Sequence, residues 1–484
     1  MRRMWASQRI RAAEDVLLAR TPEGALMRRA AYGLSVHAAG MLRERSGGVA
    51  GRRVVLLVGA GNNGGDALWA GMELRRRGAG VTAVLLAPDR AHPAGLAAFR
   101  KAGGRLTAAA DAAAGIAAAH LVIDGIVGIS GSGPLRDPAG ALVAEADEAG
   151  VPILAVDLPS GVDPDTGEVH EPSVRAAETV TFGGYKPVHA LAPSRCGPVH
   201  LVDIGLDPYL PDPDVWRLDA EDVGRRWPVP GPADDKYSQG VVGVAAGSQV
   251  YPGAAVLATG AAVAATSGMV RFAGSAAEEV LRHWPEVVAA GSVADSGRTQ
   301  AWTVGPGVGT GTSGRDTVAA VLDRSVPVCL DADAITLVAS TPDLADAAAE
   351  LPVVFTPHDR EFARLAGEVG RDRVGAARRA AAKLHATVLL KGNVTVVADQ
   401  DGRVLAHPAP TSWAATAGSG DVLSGLVGAL LAAGLQPWWA AGCAAYLHST
   451  AASLAAGGSV GAPIGASALL AAVPDAIRHV RACC

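Results

Sequence analysis

The chain has 484 residues and a formal net charge of −5 at pH 7, so its length suggests about two to four domains and its charge offers no basic footprint for nucleic acid. Five cysteines without a C-x-x-C pair favour free thiols in a reducing cytoplasm over a disulfide framework. The charged N-terminal segment has no apolar run and predicts no signal peptide. We therefore expect a cytoplasmic protein that binds neither nucleic acid nor membranes.

Short apolar runs alternate with alanine-rich helical stretches in the first half, which predicts βαβ units around a mostly parallel sheet. The predicted strands are 53–58, 81–87, 121–127, 152–157, 178–182 and 199–204. The following stretch, 207–236, is rich in Pro and Asp and lacks sustained periodicity. We place the domain boundary there, with a first domain over 1–212 and a linker over 213–235.

The second half, 236–484, restarts the same alternation, and its predicted strands are 241–246, 268–273, 301–304, 326–331, 352–356, 387–390 and 394–398. Residues 422–447 carry no charged side chain, a length that raises the question of a membrane span. Gly434, Gln436 and Pro437 interrupt this stretch, so we predict two buried helices joined by a turn. The fold class is α/β, with two tandem three-layer αβα domains.

A G-x-G-x-x-G pattern, Gly59 to Gly64, follows the first predicted strand of the sheet and is typical of dinucleotide cofactor loops. Such a loop requires an acidic residue about 20 positions later for the ribose, and the only candidate, Asp89, comes late. Asn62, Asn63 and Asp66 also put polar side chains where a pyrophosphate loop has small apolar ones. The pattern is therefore not a hydride-transfer cofactor site.

Polar side chains end two further predicted strands, Asp124 in one and Asp157 with Ser160 in the other. In an open α/β sheet the ligand lies beyond the carboxyl ends of the strands, so Asn63, Asp124 and Ser160 converge. Their amide, carboxylate and hydroxyl oxygens suit a hard cation. Taken singly, each residue is more simply explained as a turn former or a helix cap, but three such strand ends in one domain favour the cation site.

The motifs "GNNGGD", "IDGIVGISGSG", "DLPSGVDPDTG" and "TFGGYKP", with the N-terminal "AAED…GALMRRAA" segment, resemble those of NAD(P)H-hydrate epimerases over roughly residues 1–210. The resemblance implies a Rossmann-like domain whose substrate is a hydrated nicotinamide nucleotide. It implies a potassium ion held by Asn63, Asp124 and Ser160, and Asp157 as a catalytic residue. The substrate contacts that it implies are Asn62, Asn63, Gly64, Gly65, Asp66, Gly128, Ile129, Ser130, Gly131, Ser132, Gly133, Pro134 and Asp157. Ala67 stands where the family usually has Gly, and we expect this change to be tolerated.

In the second half, the segment "TAGSGDVLSGLVGALLA" (416–432) leads Gly418, Ser419 and Gly420 straight into an apolar helix. Such a turn presents backbone N–H groups and the helix dipole to an anion. Asp421 follows at once, and a carboxylate there is suited to removing a proton from a hydroxyl during phosphate transfer. The alternative is that Asp421 only favours the helix dipole.

Further motifs accompany this turn: "KYSQGVVGVAAGSQVYPGAAVLA", "TVGPGVG", "CLDADAI", "FTPHDREFARL" and "LLKGNVTVVAD". Together they resemble ribokinase-like, ADP-dependent NAD(P)H-hydrate dehydratases over about residues 225–480. The resemblance implies that the nucleotide contacts Lys391, Gly392, Asn393, Val394, Thr395, Gly418, Ser419 and Gly420. It implies that the hydrated substrate contacts Ala255, one of Gly307 and Gly309, His358 and the catalytic Asp421. Here "TPHDRE" replaces the commoner "TPHPGE", and Thr336 stands where the family has Asn.

Both resemblances together imply a bifunctional nicotinamide-nucleotide repair enzyme. Its first domain interconverts the R and S hydrates of NADH and NADPH, and its second dehydrates the S hydrate at the expense of ADP, with Mg²⁺. We also expect a homo-oligomer. Two alternatives remain at this point: a small-molecule kinase of the same fold in the second half, and a non-catalytic nucleotide-binding module in the first.

Overall fold

The computed structural model describes residues 1–131, 133–265, 268–458 and 460–484. The chain divides into two compact units, Arg3–Val215 and Trp216–Cys484, the latter together with Met1–Arg2. Each unit is built on its own largely parallel sheet with helices. The predicted α/β class with two αβα domains is therefore confirmed.

The strands of the first unit are all parallel to their neighbours and lie in the order β4-β3-β2-β5-β6-β7-β8. They are β2 (Arg53–Val58), β3 (Gly80–Leu85), β4 (Arg105–Thr107), β5 (Leu121–Gly125), β6 (Ile153–Val156), β7 (Glu178–Phe182) and β8 (Val199–Val202), whereas the N-terminal strand β1 (Arg2–Met4) belongs to the other sheet. The helices are α1 (Ser7–Leu18), α2 (Ala25–Ser46), α3 (Asn62–Arg76), α4 (Pro93–Lys101), α5 (Ala113–Ala117), α6 (Ala139–Glu148), α7 (Val188–Leu191) and α8 (Pro193–Cys196).

Alternate residues of β2 pack into two different cores, which gives the first unit its three layers. Val54, Leu56 and Val58 join a core that includes apolar residues of α1, α2 and α3. Val55 and Leu57 join another that includes residues of α5 and α6. Successive side chains of a strand point to opposite faces, so the central strands are apolar on both faces, as a parallel sheet requires.

The strands of the second unit lie in an 11-stranded sheet in the order β1-β9-β18-β17-β16-β15-β14-β13-β10-β11-β12, in which β1 is the edge strand beside β9. They are β9 (Val215–Arg217), β10 (Val241–Ala245), β11 (Met269–Ala273), β12 (Val288–Ala290), β13 (Ala301–Val304), β14 (Val328–Leu330), β15 (Val353–Phe355), β16 (Thr387–Leu390), β17 (Val394–Ala398) and β18 (Val404–Pro408). Strands β10 to β16 pair in parallel, and β17 is antiparallel to both β16 and β18.

The helices of the second unit are α9 (Ala220–Arg226), α10 (Pro252–Ala265), α11 (Ala277–His283), α12 (Thr312–Leu322), α13 (Asp333–Ser340), α14 (Pro342–Ala349), α15 (Asp359–Ala366), α16 (Arg373–Leu384), α17 (Ser419–Ala432), α18 (Pro437–Ala456), α19 (Ala466–Ala471) and α20 (Val473–Arg481). Short 3₁₀ turns at Pro88–Arg90, Ala109–Asp111, Asp207–Tyr209 and Ala294–Ser296 complete the two units. The segment predicted as a linker, 213–235, contains β9 and α9.

Helices α17 and α18 occupy the uncharged stretch 422–447, as predicted, with a turn between them. Gly434 adopts φ 91° just after α17 ends, a conformation that glycine adopts at little cost, and Pro437 begins α18. No helix among the described residues is long and apolar enough to cross a membrane.

Helix α17 packs closely on its neighbours through two glycines. A Cβ at Gly425 would lie 2.2 Å from the carbonyl oxygen of Ala258 in α10, and one at Gly428 would lie 1.9 Å from Oγ1 of Thr303 in β13. The Thr303 hydroxyl donates to the Ser424 carbonyl at 2.9 Å. The absence of these side chains therefore lets the helix that follows the glycine turn lie against the sheet.

Candidate active sites

A cavity of about 560 Å³ lies at the carboxyl ends of β2, β5 and β6, and we call it the loop cavity. Residues that immediately follow these three strands form much of its wall. The predicted substrate residues in that wall are Asn62, Asn63, Gly64, Asp66, Gly128, Ile129, Ser130, Gly131 and Asp157. Gly65, Gly133 and Pro134 lie outside the wall, and Ser132 lies outside the described residues.

Glycines let the loops after β2 and β5 approach each other. A Cβ at Gly59 would lie 1.9 Å from the Ile126 carbonyl oxygen, and one at Gly128 would lie 2.4 Å from Oδ1 of Asn63. The Ala67 methyl is fully buried. A Cβ on Gly125 would lie only 2.7 Å from this methyl carbon. Ala67 is accommodated because residue 125 is glycine.

Two of the three predicted cation ligands are in direct contact. The Ser160 hydroxyl donates to Oδ1 of Asp124 at 2.7 Å, and its backbone N–H donates to Oδ2 at 2.9 Å. Both residues are fully buried, and burial raises the pKa of Asp124 to about 6 against the opposing hydrogen bonds from Ser160 and Ile126. The Val127 N–H donates to the Ser160 hydroxyl at 3.0 Å, and the Asn63 amide donates to the Val127 carbonyl at 3.5 Å and to the Val156 carbonyl at 2.7 Å.

Asp157 forms a buried ion pair that the sequence motifs did not reveal. Its Oδ1 accepts from Lys186 Nζ at 2.5 Å and from the Thr181 hydroxyl at 2.9 Å. Burial, and then Lys186, lower the pKa of His189 to about 4, so its ring is neutral. Its Nδ1 accepts from the Lys186 N–H, so Nε2 donates to the Asp157 carbonyl at 2.9 Å. These bonds hold Asp157 at φ 70°, a rare conformation for a residue other than glycine.

A second cavity of about 660 Å³ adjoins the loop cavity, and both are lined by Glu14, Asn62, Asp66 and Phe182. Burial is the main cause that raises the pKa of Asp66 well above its usual range, and the carboxylates of Asp157 and Glu14 add to it. Burial also raises the pKa of Glu14, with Lys186 opposing and Asp157 adding. The raised pKa favours the protonated form of Asp66, which lies beside the ion-paired Asp157.

In the second unit, Gly418 lies immediately before α17, and Ser419 and Gly420 are the first residues of that helix. Gly418 adopts φ 84°, and the Ser419 hydroxyl donates to the Thr416 carbonyl at 2.9 Å. Burial lowers the pKa of His448 to about 4, so its neutral ring donates from Nε2 to the Ser419 carbonyl at 2.9 Å. A histidine in α18 thus fixes the turn that begins α17.

Charged side chains from several elements meet beside this turn. Lys391 Nζ lies 2.8 Å from Oδ1 of Asp331 and 3.6 Å from Oε2 of Glu361. A Cβ at Gly420 would lie 3.5 Å from the same Nζ. Burial, and then Asp331, raise the pKa of Asp421 to about 7, with Lys391 opposing and Asp333 adding. The arrangement sets a titratable carboxylate next to a helix N-terminus and an ammonium group.

The predicted substrate residues of this unit have varied surroundings. His358 caps α15, since its Nδ1 accepts from the Glu361 N–H at 3.1 Å and its own N–H donates to Oε2 of Glu361 at 2.9 Å. Ala255 is fully buried. Gly309 donates its N–H to Asp333 at 2.9 Å, and a Cβ on Gly307 would lie 3.0 Å from that of Tyr251.

The predicted nucleotide residues 392–395 belong to the turn and strand that follow Lys391. The Asn393 carbonyl accepts from the Ala409 N–H at 2.8 Å, and its Oδ1 accepts from the Ser412 hydroxyl at 3.3 Å. Val394 and Thr395 begin β17, and the Thr395 hydroxyl donates to the Gly392 carbonyl at 3.4 Å. The segment therefore runs from Lys391, which lies beside Gly420, into the antiparallel strand β17.

Sequence reasoning missed Glu14, Lys186 and His448 as functional candidates. Glu14 and Lys186 stand within the quoted segments "AAED" and "TFGGYKP", so a charged residue inside a motif was the available signal. His448 gave none, because it lies 29 residues from Ser419 within a long apolar stretch.

Comparison with known families gives two matches along the chain. Residues 242–466 match the family model described as NAD(P)H-hydrate dehydratase. Residues 23–188 match the model described as YjeF-related protein N-terminus. The two matched segments fall in different units of the structure.

Full-length relatives carry both segments. The chain is 60% identical to the bifunctional NAD(P)H-hydrate repair enzyme Nnr of Mycobacterium tuberculosis, over 90% of each chain. It is 58% identical to the enzyme of the same description from Mycobacterium leprae, over 94% of each. A ribokinase-like superfamily protein of Enterococcus faecalis superposes with a TM-score of 0.50 at 22% identity, covering 55% of this chain and 96% of that one, and shows the ribokinase-like fold.

Proposed function

The chain belongs to the bifunctional NAD(P)H-hydrate repair enzymes, and from that premise we propose how its residues divide the work. The first unit epimerises the R and S hydrates of NADH and NADPH. The second dehydrates the S hydrate at the expense of ADP, giving AMP and phosphate. The observation that carries this proposal is the titratable Asp421 beside the Gly418–Gly420 turn, in a chain whose other unit has its own cavity with Asp66 and Asp157.

In the dehydratase site, Asp421 removes the proton from the substrate hydroxyl. The oxygen of that hydroxyl attacks the terminal phosphorus of ADP, and AMP leaves. The backbone N–H groups of Gly418–Gly420 and the dipole of α17 stabilise the transferred phosphate. Loss of phosphate and of a ring proton then restores the double bond. Phosphate leaves far more readily than hydroxide, so phosphorylation makes the dehydration feasible.

The nucleotide residues Lys391 to Thr395 run beside the same turn, and Lys391 is placed to pair with a phosphate. The carboxylates around it suit Mg²⁺, which prefers hard oxygen ligands. Glu361, together with the phosphate oxygens of ADP, would hold this ion. Mg²⁺ would supply charge neutralisation during phosphate transfer.

In the epimerase site, we assign Asp157 as the residue that accepts a proton, because Lys186 and Thr181 hold its carboxylate at the wall of the loop cavity. The loop residues 62–65 and 128–131 bind the phosphate-bearing part of the substrate. The start of α3 among these residues favours anions through its free N–H groups.

The oxygen cluster beside this site fits potassium. Asp124 is fully buried, and no cationic side chain among the described residues pairs with it. A buried carboxylate requires compensation, and the neighbouring oxygens of Ser160, Asn63 and Val127 suit a hard monovalent ion. Asn63, Asp124 and Ser160 would hold K⁺, which would fix the strand-end loops around the substrate.

Cysteine chemistry supports a reducing location. The five cysteines are free, and burial raises the pKa of Cys196 and Cys443 to about 12, so these thiols stay protonated and unreactive. We therefore propose a cytoplasmic enzyme. Its assembly into a homo-oligomer stays a prediction, which light scattering on the purified chain measures.

One assay tests the proposed function directly. Mixed R and S hydrates of NADH are incubated with the chain, ADP and Mg²⁺, and the near-ultraviolet absorbance of the reduced ring is followed. We expect full recovery of absorbance with one AMP formed for each ring restored. Consumption of ADP with a phosphorylated product and no recovered absorbance would identify a small-molecule kinase instead.

A further inference from the structure

The second cavity is a site of distinct character from the loop cavity that it adjoins. Its walls are mainly apolar and aromatic, and they include Leu18, Leu26, Met27, Trp69, His92 and Phe182. The loop cavity is instead walled largely by backbone-rich turns that follow the strands. A flat apolar ring fits the first kind of wall, and phosphates fit the second.

Asp66 lies at the boundary of the two cavities. Its side chain is only 5% exposed, and it makes no hydrogen bond or ion pair with any other described residue. Its carboxyl group therefore faces the space of the two cavities and is free to contact a bound molecule. Glu14 shares this boundary, so two carboxyl groups face the passage between the cavities.

The wall of the second cavity is built around the same glycine-rich loop. A Cβ at Gly65 would lie 3.0 Å from both the His92 ring and the Met27 side chain, so glycine permits their close approach to the loop. His92 accepts the Gly95 N–H on Nδ1 at 3.0 Å. The neutral ring therefore carries its proton on Nε2, which is left to donate to a bound group.

We propose that the second cavity holds the hydrated nicotinamide ring during epimerisation and that Asp66 donates a proton to the ring hydroxyl. This inference rests on the proposed epimerase function and adds the location of the reacting ring. The phosphates then lie in the loop cavity, and the adenine half lies beyond them.

The chemistry requires an acid at this boundary and a base near it, and Asp157 lines the adjoining loop cavity. The hydroxyl sits on a carbon bonded to the ring nitrogen, so once Asp66 protonates it the C–O bond breaks and water leaves. The nitrogen lone pair forms a C=N bond, and the positive charge is stabilised by the surrounding carboxylates. Water adds to the opposite face, its proton passes to Asp157, and exchange through Glu14 returns a proton to Asp66. No net proton or electron is consumed.

The reach of Asp66 permits this placement of the reacting ring, and the apolar wall of the second cavity favours it. A general acid must lie within hydrogen-bond distance of the atom that it protonates. Of the groups that line the second cavity, Asp66 is the buried carboxyl without another partner, and Glu14 stands beside it. An adenine ring in this cavity would leave that acid facing a group that does not react.

The first test replaces Asp66 by Asn, which keeps its size and removes the transferable proton. We expect kcat for epimerisation to fall by about 10² to 10³, with KM little changed and dehydration of pure S hydrate by the same chain unchanged. The Asp66→Glu variant should regain part of kcat. Wild-type kcat in Asp66→Asn, with a folded first unit confirmed by circular dichroism, overturns the role of Asp66.

The second test locates the ring. Trp69→Ala is compared with Tyr32→Ala, an exposed aromatic of the same unit outside both cavities. Each is assayed on the hydrate of NADH and on the hydrate of the reduced nicotinamide mononucleotide, which lacks the adenosine half. We expect Trp69→Ala to raise KM roughly tenfold for both substrates and Tyr32→Ala to change neither.

Two results overturn the proposed location. An effect of Trp69→Ala confined to the dinucleotide would put the adenine half in the second cavity, and no effect on either substrate would put the ring elsewhere. Failure of the proposed function itself is distinguishable, because the wild-type chain would then epimerise neither hydrate.

Discussion

Asp421 is held near the pH at which a base works best. Burial and the carboxylates of Asp331 and Asp333 act against its ionisation, Lys391 acts for it, and the resulting pKa is about 7. Only the ionised form removes a proton, so we expect kcat/KM for dehydration to rise with pH and level off above about 7. A profile that is flat from pH 5 to 8, as for an ordinary aspartate, would contradict this assignment.

The substitution Asp421→Asn tests the same base. We expect the dehydration rate to fall by about 10² to 10⁴ while ADP still binds, because the N–H groups of the turn remain. The control is Asp316→Asn, an exposed aspartate of α12, which should leave the rate unchanged. Rate and nucleotide affinity are measured separately, by absorbance recovery and by calorimetry, and near wild-type turnover in Asp421→Asn would remove it from the mechanism.

The carboxylate of Asp124 is the group on which we expect potassium dependence to rest. We expect epimerisation to require K⁺ and Asp124→Ala to lose both the dependence and most of the activity, because the only carboxylate of the oxygen cluster is removed. Initial rates are compared in potassium salts and in salts of a large organic cation. Equal rates in the two salts would show that the cluster holds no functional ion.

Site residues could be predicted from the sequence where a motif lies at the end of a strand. The order of the strands along the chain alone places Asn63, Asp124, Asp157 and Ser160 at one edge of a parallel sheet. Their partners could not be predicted in this way. Lys186 lies 29 residues from Asp157, and their ion pair depends on how β6 and the segment after β7 pack. The raised pKa of Asp66 arises from burial and from two nearby carboxyl groups, and neither is visible in a local pattern.

At the scale of elements, the contact between α10 and α17 supports the helix that carries Asp421. Gly425→Ala would drive a methyl group into the Ala258 carbonyl, and we expect a loss of about 1 to 3 kcal/mol in unfolding free energy. Gly253→Ala in α10 is the matched control, because a Cβ there meets no atom within 4 Å, and it should be neutral or stabilising by up to about 1 kcal/mol. Denaturant titration of both variants measures the difference, and equal stabilities would contradict the close packing.

The alternating pattern of apolar residues predicted the central strands of both sheets well. It predicted poorly the strands at or near the edges of the sheets. Strands 53–58, 178–182, 301–304, 387–390 and 394–398 begin and end as predicted. The sequence missed β1, β4, β9, β12 and β18. Four of these are three residues long, too short for an alternating pattern, and β18 contains His407 and Pro408, residues atypical of a strand.

At the scale of the whole molecule, the two activities should separate. Each unit contains its own sheet and its own candidate site, and each exceeds about 200 residues, enough for a buried core. We expect a cut near residue 215 to give one fragment that only epimerises and one that only dehydrates.

The plateau of recovered absorbance measures this separation. The dehydratase fragment alone should leave the R fraction of a mixed hydrate unconverted until the epimerase fragment is added. Prompt consumption of both isomers by the C-terminal fragment, well ahead of spontaneous epimerisation, would show that the activities are assigned to the wrong units.

Both sites belong to one polypeptide, each in its own unit, and this fixes their stoichiometry. Every ribosome that completes the chain produces one epimerase and one dehydratase, so changes in transcription or messenger stability alter their amounts together. For given rates of hydrate formation and spontaneous epimerisation, the balance between the two enzymatic steps therefore depends on the kinetic constants of the two sites and not on relative expression. Selection for balanced repair can act only on rate constants, residue by residue.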